Sequence, residues 1–208
     1  MLSAADDRVT LQNASWELYQ SMLREIGDGH IRLTYDQGRL EIMSSSGFHE
    51  DIKKALARLI EAYADAAGID IQGLGSTTFD RDDLQKGLEP DECYYIANAA
   101  RIIGKREIDA TIDPPPDLAI EVDLSPPGVP KQPIYAALGV PEIWRYDGRR
   151  LICLVRTVED ATGPRYVPAD KSLSFPSLAP ADLDRFLERA LAAGQSAAVR
   201  ELRAWMKS

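Results

Sequence analysis

Three acidic residues and one lysine lie between positions 91 and 131 with a spacing that suits metal-assisted hydrolysis. Asp91 stands at the entrance to a strand-like run, ECYYIAN, and Glu121 lies within another, DLAIEVDL, with Asp123 two positions later. Carboxylates at positions i and i+2 of a strand point to the same face, so we expect Glu121 and Asp123 side by side. If the Asp91 strand is their neighbour, the three acids form the all-oxygen ligand set that Mg²⁺ or Mn²⁺ prefers.

Lys131 follows these acids across a proline-rich turn. An ammonium group at this place can hold the attacking water or a scissile phosphate as charge builds. A bound metal ion lowers the pKa of that water and stabilises the developing oxyanion. The pattern therefore predicts hydrolysis of a phosphoester by a metal-activated water.

Each of these residues also has a purely structural interpretation. Asp91 suits a turn at the start of a strand, Asp123 suits a cap on the following turn, and Lys131 suits a solvated helix start. Glu121 is harder to explain in this way, because a carboxylate on so apolar a strand needs a partner for its charge.

Four further polar residues have open roles. Asp117 follows a proline run and suits a strand start better than a metal ligand. Glu50 suits the dipole at the beginning of a helix. His49 is expected to be exposed, where it can touch phosphate, and Glu41 can face either the site or solvent.

Periodic patterns predict the elements that must position these residues. Ser15 precedes a first helix, and HIRLTY and RLEIM predict a hairpin that carries Glu41. An apolar stripe from about His49 to Ala67 predicts a long helix. After Lys131 a short helix ends at Gly139, since glycine is typical of helix ends. EIWRYD and RLICLVR then predict another hairpin, with two closing helices behind it.

Together these elements predict a mixed α/β (α+β) fold. We expect a central sheet of about five strands, mostly antiparallel or mixed, flanked by the His49 helix and the Lys131 helix. The length of 208 residues favours one domain over residues 1–208, with a core at about 15–155 and C-terminal helices at about 180–206. Trp144 and the tyrosines of the strands are expected in the core.

Composition narrows the possible functions. The net charge of −9 counts against strong binding to free DNA, because phosphate contacts need Lys and Arg, so any basic patch must be local. No apolar run is long enough for a membrane span, and the first residues carry acids where a signal peptide carries bases, which favours a cytoplasmic protein. Cys93 and Cys153 are far apart in sequence, so we expect two buried thiols on strands.

Several motifs, mostly in the second half of the chain, together resemble one known family. They are EPD at 89–91 before a strand, PDLAIEV at 116–122, Lys131 followed by Tyr135 four residues later, and GVPEIW at 139–144. This combination resembles the Uma-two-type family of putative restriction endonucleases, a bacterial branch of the PD-(D/E)xK superfamily. The resemblance runs from about Asp36 to Asp147.

The resemblance implies a restriction-endonuclease-like core and Mg²⁺-dependent cleavage of DNA. It implies that Asp91 and Glu121 bind the metal and that Lys131 is the catalytic lysine, moved from the strand into the following helix. A (D/E)xK motif that begins at Glu121 would have lysine at position 123, where this chain has Asp123. Catalysis then depends on Lys131 reaching across to the site.

Two other functions fit the same residues. Asp123 in place of the motif lysine and the net acidity suit a decayed nuclease-fold protein that binds nucleic acid or another protein. A closed pocket would instead suit a metal-dependent hydrolase of a different phosphorylated substrate. Hairpin strands and an apolar tail make a homodimer the expected assembly, and two active sites would suit the two strands of a duplex.

Overall fold

The computed structural model describes residues 6–27, 30–158 and 163–207. In chain order its helices and strands are β1 (Asp7–Gln12), α1 (Trp16–Ile26), β2 (Ile31–Asp36), β3 (Arg39–Ser44), α2 (Gly47–Ala67), β4 (Gln72–Gly73), β5 (Phe79–Arg81), β6 (Lys86–Leu88), β7 (Glu92–Tyr95), α3 (Ala99–Ile102), β8 (Leu118–Val122), α4 (Gln132–Leu138), β9 (Glu142–Tyr146), β10 (Leu151–Thr157), β11 (Arg165–Ala169), α5 (Pro180–Ala193) and α6 (Gln195–Trp205).

The first sheet, called sheet A below, is antiparallel and has the strand order β1-β3-β2-β6-β5. Its centre is the hairpin of β2 and β3, in which Asp36 pairs with Arg39. The two turn residues, Gln37 and Gly38, have φ values of 46° and 96°. Positive φ at both turn positions matches the right-handed twist of the flanking strands, so this short turn fixes the register of the hairpin.

Helix α1 packs against one face of sheet A through aromatic and aliphatic side chains. Ser15 caps the helix by accepting a hydrogen bond from the backbone N–H of Leu18. The rings of Tyr19 and Tyr35 stack with their centroids 5.2 Å apart. Leu33 and Leu40 complete this small core, which keeps sheet A rigid beside the candidate site.

The second sheet, sheet B, has six strands in the order β11-β10-β9-β8-β7-β4. Its β8–β9 pair is parallel and its other pairs are antiparallel. All five residues of β8 are buried, because helices cover both faces. Ile120 and Val122 pack into the large core with α2, α5 and α6, whereas Ala119 packs on the opposite face with α4. Glu121 shares the α4 face with Ala119, since side chains alternate along a strand.

The mixed α/β fold with flanking helices is confirmed. The expected sheet of about five strands is instead a six-stranded sheet, and a separate five-stranded sheet stands beside it. The predicted β2–β3 hairpin belongs to this five-stranded sheet A, because β1 pairs with one side of the hairpin and β6 with the other. Strands β1 and β11 were not predicted from the sequence.

Other expectations about local structure hold. The two closing helices are α5 and α6. Cys93 and Cys153 are buried, unpaired thiols on β7 and β10. Trp144 is fully buried, as are the tyrosines of β7 and Tyr135 of α4. No helix in residues 6–27, 30–158 or 163–207 is long and apolar enough to cross a membrane.

Candidate active site

Strands β7 and β8 bring Asp91 beside Glu121. Asp91 immediately precedes β7, and its backbone N–H donates to the carbonyl of Ile120 at 3.1 Å. The Asp91 Oδ2 atom accepts a hydrogen bond from the backbone N–H of Val122 at 2.7 Å. Because the two strands are antiparallel, the start of β7 meets the end of β8. The predicted neighbourhood of the two acids is therefore present, with both carboxylates buried.

Lys131 and Tyr135 hold the two oxygens of Glu121. The Lys131 ammonium donates to Glu121 Oε2 at 2.5 Å, and the Tyr135 hydroxyl donates to Oε1. Lys131 is the N-cap residue of α4, and Tyr135 lies one turn later on the same helix face. The Lys131 side chain is only 9% exposed. The interpretation of Lys131 as a solvated helix start is therefore wrong, because the side chain turns inward to a buried carboxylate.

Burial and charge act against each other at this pair. Burial raises the pKa of Glu121 to about 7; Lys131 opposes this shift, whereas Asp91 and Asp123 add to it. Burial would lower the pKa of Lys131, but the same three acids raise it above the ordinary value. Both partners of Glu121 donate hydrogen bonds, so this geometry stabilises the ionised carboxylate next to a charged ammonium.

Asp123 lies just beyond the end of β8. Its backbone N–H donates to the carbonyl of Tyr146 at 2.8 Å, which continues the pairing of β8 with β9. Its Oδ1 atom is buried and has no hydrogen-bond partner within the described ranges. Burial raises the pKa of this carboxyl group, and Lys131 partly offsets the shift. Asp123 thus offers an oxygen acceptor next to Lys131.

His49 is fully buried, which corrects the expectation of an exposed histidine. Its Nδ1 atom lies 3.1 Å from Asp6 Oδ2, and its Nε2 atom lies 2.9 Å from Asp91 Oδ1. Asp6 also accepts from the backbone N–H of Ser46 at 2.9 Å, the residue that caps α2. The sequence pattern around residue 49 could not show this, because Asp6 precedes a strand that was not predicted.

The contact between His49 and Asp91 is mainly electrostatic. In the described part of the chain, neither His49 Nε2 nor Asp91 Oδ1 has a partner with hydrogen-bond geometry, although the two atoms are close. Burial would raise the pKa of Asp91, but His49 and Lys131 hold it well below its ordinary value. Burial would lower the pKa of His49, but Asp91 and Asp6 raise it. The histidine therefore favours the ionised form of Asp91.

Two of the acids with open roles lie outside this cluster. Glu50 lies in the first turn of α2 and pairs with Lys53 at 3.2 Å, as suits a residue that complements the helix dipole. Asp117 accepts from the backbone N–H groups of Ile96 and Asn98 at 2.7 and 3.0 Å. It therefore acts as a strand-start residue at the opposite end of β8 from Asp123.

Glu41 faces inward from sheet A and fixes the loop that precedes Lys131. It accepts from Arg8 at 2.8 Å and from the backbone N–H of Gly128. Arg39 donates to the carbonyl of Gly128 at 2.6 Å. Sheet A thus holds both the N–H and the carbonyl of Gly128, three residues before the catalytic candidate Lys131.

A cleft of about 440 Å³ opens beside this cluster. Its charged lining residues are Glu121, Asp123, Lys131, Arg145 and Arg165. The rest of the lining is largely apolar and includes Pro127, Pro130, Pro133, Ile143, Leu154 and Tyr166. The arrangement can accept a ligand that combines a charged group with a flat or apolar part.

The donor chemistry of the cluster fits an oxygen-preferring divalent cation in part. Asp91, Glu121 and Asp123 all lie near enough to Lys131 to shift its pKa, and Asp123 has a buried oxygen without a partner in the described residues. Within residues 6–27, 30–158 and 163–207, no three His, Cys, Asp or Glu side chains form a metal-binding group. In this structure the Lys131 ammonium contacts Glu121 and the Arg32 guanidinium lies 3.6 Å from Asp91 Oδ1, so both side chains supply positive charge among the acids.

Comparisons with known proteins show the family and the fold. A family described as Uma2, putative restriction endonuclease, matches residues 16–188. The chain belongs to this family. A crystal structure from Anabaena variabilis, described as a putative nuclease belonging to DUF820, has the same fold, with a TM-score of 0.52 and 17% sequence identity over 84% of this chain and 99% of that chain. No curated protein matches at a significant level.

For this Uma2-family chain, sequence reasoning missed the residues that surround the acids. Asp6 and Arg8 were missed because β1 was missed, although Val9 and Leu11 alternate with polar residues as in a half-buried strand. Tyr135 was expected only as a core residue. Its spacing of four from Lys131 on a helix was the available signal that both face Glu121.

The contacts between sheet A and Gly128 predict that the substitution Gly128→Ala destabilises the fold. A methyl group in Gly128→Ala would overlap the Thr10 hydroxyl and lie 2.9 Å from Glu41 Oε2. We expect a loss of about 1–3 kcal/mol in the free energy of unfolding, measured by urea denaturation. Gly47→Ala is the matched control, because nothing lies within 4 Å of the added methyl group. Equal stability of the two variants would contradict the tight packing of sheet A around Gly128.

The depressed pKa of Asp91 predicts a pH-dependent stability difference between the wild type and Asp91→Asn. An acid with a lowered folded pKa stabilises the fold above its unfolded pKa, and this contribution is lost as pH falls through the folded pKa. Urea unfolding should therefore show the largest difference near pH 7 and a shrinking one below about pH 4. Asp70→Asn, at an exposed site, serves as control. A difference independent of pH would refute this account.

Proposed function

We propose that the chain is a metal-dependent endonuclease that hydrolyses DNA phosphodiester bonds. The observation that supports this most directly is that the strands bring Asp91 beside Glu121, which Lys131 contacts at a cleft that Asp123 also lines. Membership of the Uma2 family makes DNA the substrate to test first.

In this proposal Asp91, Glu121 and Asp123 hold Mg²⁺ or Mn²⁺. When bound, the ion supplies Lewis acidity and lowers the pKa of a water molecule. The protein contributes the positions of the ligands. His49 and the Val122 N–H orient the Asp91 carboxylate, and the Tyr135 hydroxyl orients Glu121 Oε1. These contacts favour the ionised carboxylates that a hard cation needs.

Lys131 provides the ammonium group that the superfamily motif would place at position 123. It reaches Glu121 from the start of α4 rather than from β8. There it can hold the attacking water or stabilise the charge that builds on the phosphate. The contacts of Arg39 and Glu41 with Gly128 help to fix the position of Lys131, because the loop before α4 cannot shift without breaking these contacts to sheet A.

A second candidate is a binding protein with a decayed nuclease site. It is favoured by the engagement of both Glu121 oxygens by Lys131 and Tyr135, a state in which the carboxylate has no need of a metal. The net charge of −9 points the same way. This candidate differs from the first in one property that can be measured: the protein would bind its ligand without cleaving DNA.

Metal binding and cleavage should depend on the same two acids. We expect calorimetry with Mn²⁺ and Mg²⁺ to show binding to the wild type, and Asp91→Ala and Glu121→Ala to lose it. Plasmid cleavage on the same samples should fall by about 10²-fold or more. Glu188→Ala, at an exposed position of α5, is the control and should keep both properties.

Lys131→Gln separates the lysine from the metal ligands in the same assays. It should lose cleavage while it still binds metal, because the two acids remain. Binding by the wild type without cleavage would favour the decayed site. Cleavage that survives in both acid variants would contradict the proposed ligands.

We also propose that the protein acts as a homodimer through β1. This strand lies at the edge of sheet A, and Val9 and Leu11 on it are 57% and 37% exposed. An exposed apolar edge strand is suited to pairing with another copy. Gel filtration with light scattering should give a dimer that Val9→Lys dissociates and that Ile112→Lys, at a 75% exposed control position, does not. A monomer at all concentrations would end this proposal.

A further inference from the structure

Arg145 lies in the strand next to Glu121. In the parallel pair of β8 and β9, the Cα atom of Arg145 is the direct partner of that of Glu121. Directly paired residues of neighbouring strands project from the same face of a sheet. Arg145 therefore faces α4, and its side chain lines the cleft together with Glu121, Asp123 and Lys131.

The guanidinium group of Arg145 lacks the partners that its neighbours have. Arg8 pairs with Glu41, and Arg39 donates to the carbonyl of Gly128. Arg145 makes neither a hydrogen bond nor an ion pair with any residue in the described ranges, and its Nε atom is buried. Arginine stays charged at all relevant pH values. A half-buried, unpaired guanidinium is costly unless a ligand satisfies its donors.

The acids nearby do not take this role. Arg145 lowers the pKa of Asp123 and of Asp147, so its charge attracts both acids, but no ion pair within 4.0 Å joins it to either of them in the described structure. Glu121 is already held by Lys131 and Tyr135. The donors of Arg145 are therefore available to an anion that enters the cleft.

We infer that Arg145 binds a phosphate group of the substrate strand inside the cleft, next to the phosphodiester that is cleaved. This inference rests on the proposed nuclease function and adds to it a residue that contacts substrate. The planar guanidinium can donate hydrogen bonds to two oxygens of one phosphate, so it fixes the orientation of the phosphate and also attracts its charge. The apolar wall with Pro127, Pro130 and Tyr166 then lies beside the sugar and base of the same nucleotide.

A phosphate contact at Arg145 also explains how an acidic protein could bind an anionic substrate. The chain carries a net charge of −9, and three acids surround the site, so a polyanion needs a local cation. Lys131 is engaged by Glu121. Arg145 adds a positive charge to the lining of the same cleft, in the strand beside Glu121.

Arg145→Ala and Arg149→Ala form a matched pair. Arg149 is exposed in the turn between β9 and β10, so both variants lose one positive charge from the same hairpin. The probes are a fluorescein-labelled single-stranded 12-mer DNA and its duplex, bound in the presence of Ca²⁺ and followed by anisotropy. We expect Arg145→Ala to weaken binding at least tenfold, and Arg149→Ala to weaken it less than twofold.

The salt dependence of binding distinguishes a phosphate contact from a structural role. Loss of one phosphate contact lowers the slope of log K against log salt by about 0.7 to 0.9. Arg145→Ala should show this change, together with a raised KM for cleavage. Arg145→Lys should keep the slope but bind several-fold more weakly, since it retains the charge and loses the planar fork. If the circular dichroism melt shows that Arg145→Ala does not fold, the affinity and salt slope of Arg145→Lys test the phosphate contact instead.

The possible outcomes separate this inference from the proposed function. If the wild type cleaves DNA and Arg145→Ala matches Arg149→Ala in affinity, salt slope and KM, the inference is overturned and the nuclease function stands. If the wild type binds DNA through Arg145 but never cleaves it, the phosphate site is supported and the nuclease function fails. If the wild type neither binds nor cleaves DNA, both are overturned.

Discussion

The buried ion pair of Lys131 and Glu121 is the interaction on which the rest of the site depends. Two charges removed from water are tolerated only when each has a well-placed partner and the remaining donors and acceptors are satisfied. Here Lys131 and Tyr135 satisfy both oxygens of Glu121, and Asp91 and Asp123 add negative charge around the same ammonium. Removal of either member of such a pair typically costs about 3–5 kcal/mol, because the other charge is left buried and unpaired.

Sheet A gives this pair its geometry although it supplies neither member. Glu41 and Arg39 hold Gly128 in the loop before Lys131, and Arg8 holds Glu41. From the same sheet, Asp6 reaches His49, which lies against Asp91. The two sheets therefore meet through polar contacts at the candidate site and also through an apolar cluster in which Leu88 of sheet A packs with Ala119 of sheet B and Tyr135. The metal ligands of a nuclease need this kind of support, because small displacements of a carboxylate weaken binding and catalysis.

Sequence patterns predicted much of the fold where a local rule was sufficient. The β2–β3 hairpin follows from alternating apolar residues around a short turn with Gly38, and most of α2 follows from a continuous apolar stripe. Sheet A was not predicted as a separate sheet. The hairpin pairs with β1 and β6, and the sequence pattern of a strand does not show which other strand it pairs with. His49 shows the same limit, since its burial depends on Asp6, which is more than forty positions away along the chain.

By itself, the sequence determined which residues could do the chemistry: an acid at the start of one strand, two acids on the same face of the next, and a lysine after a proline-rich turn. It determined these because periodicity fixes which side chains share a face. Only the tertiary structure decided that Lys131 is buried against Glu121, that His49 and Asp6 stand behind Asp91, and that Arg145 lies unpaired in the cleft. Those relations arise from strand order and from contacts between the two sheets, which bring together residues that are distant along the chain. Burial then strengthens the interactions between their charges, because the protein interior screens charge less than water does.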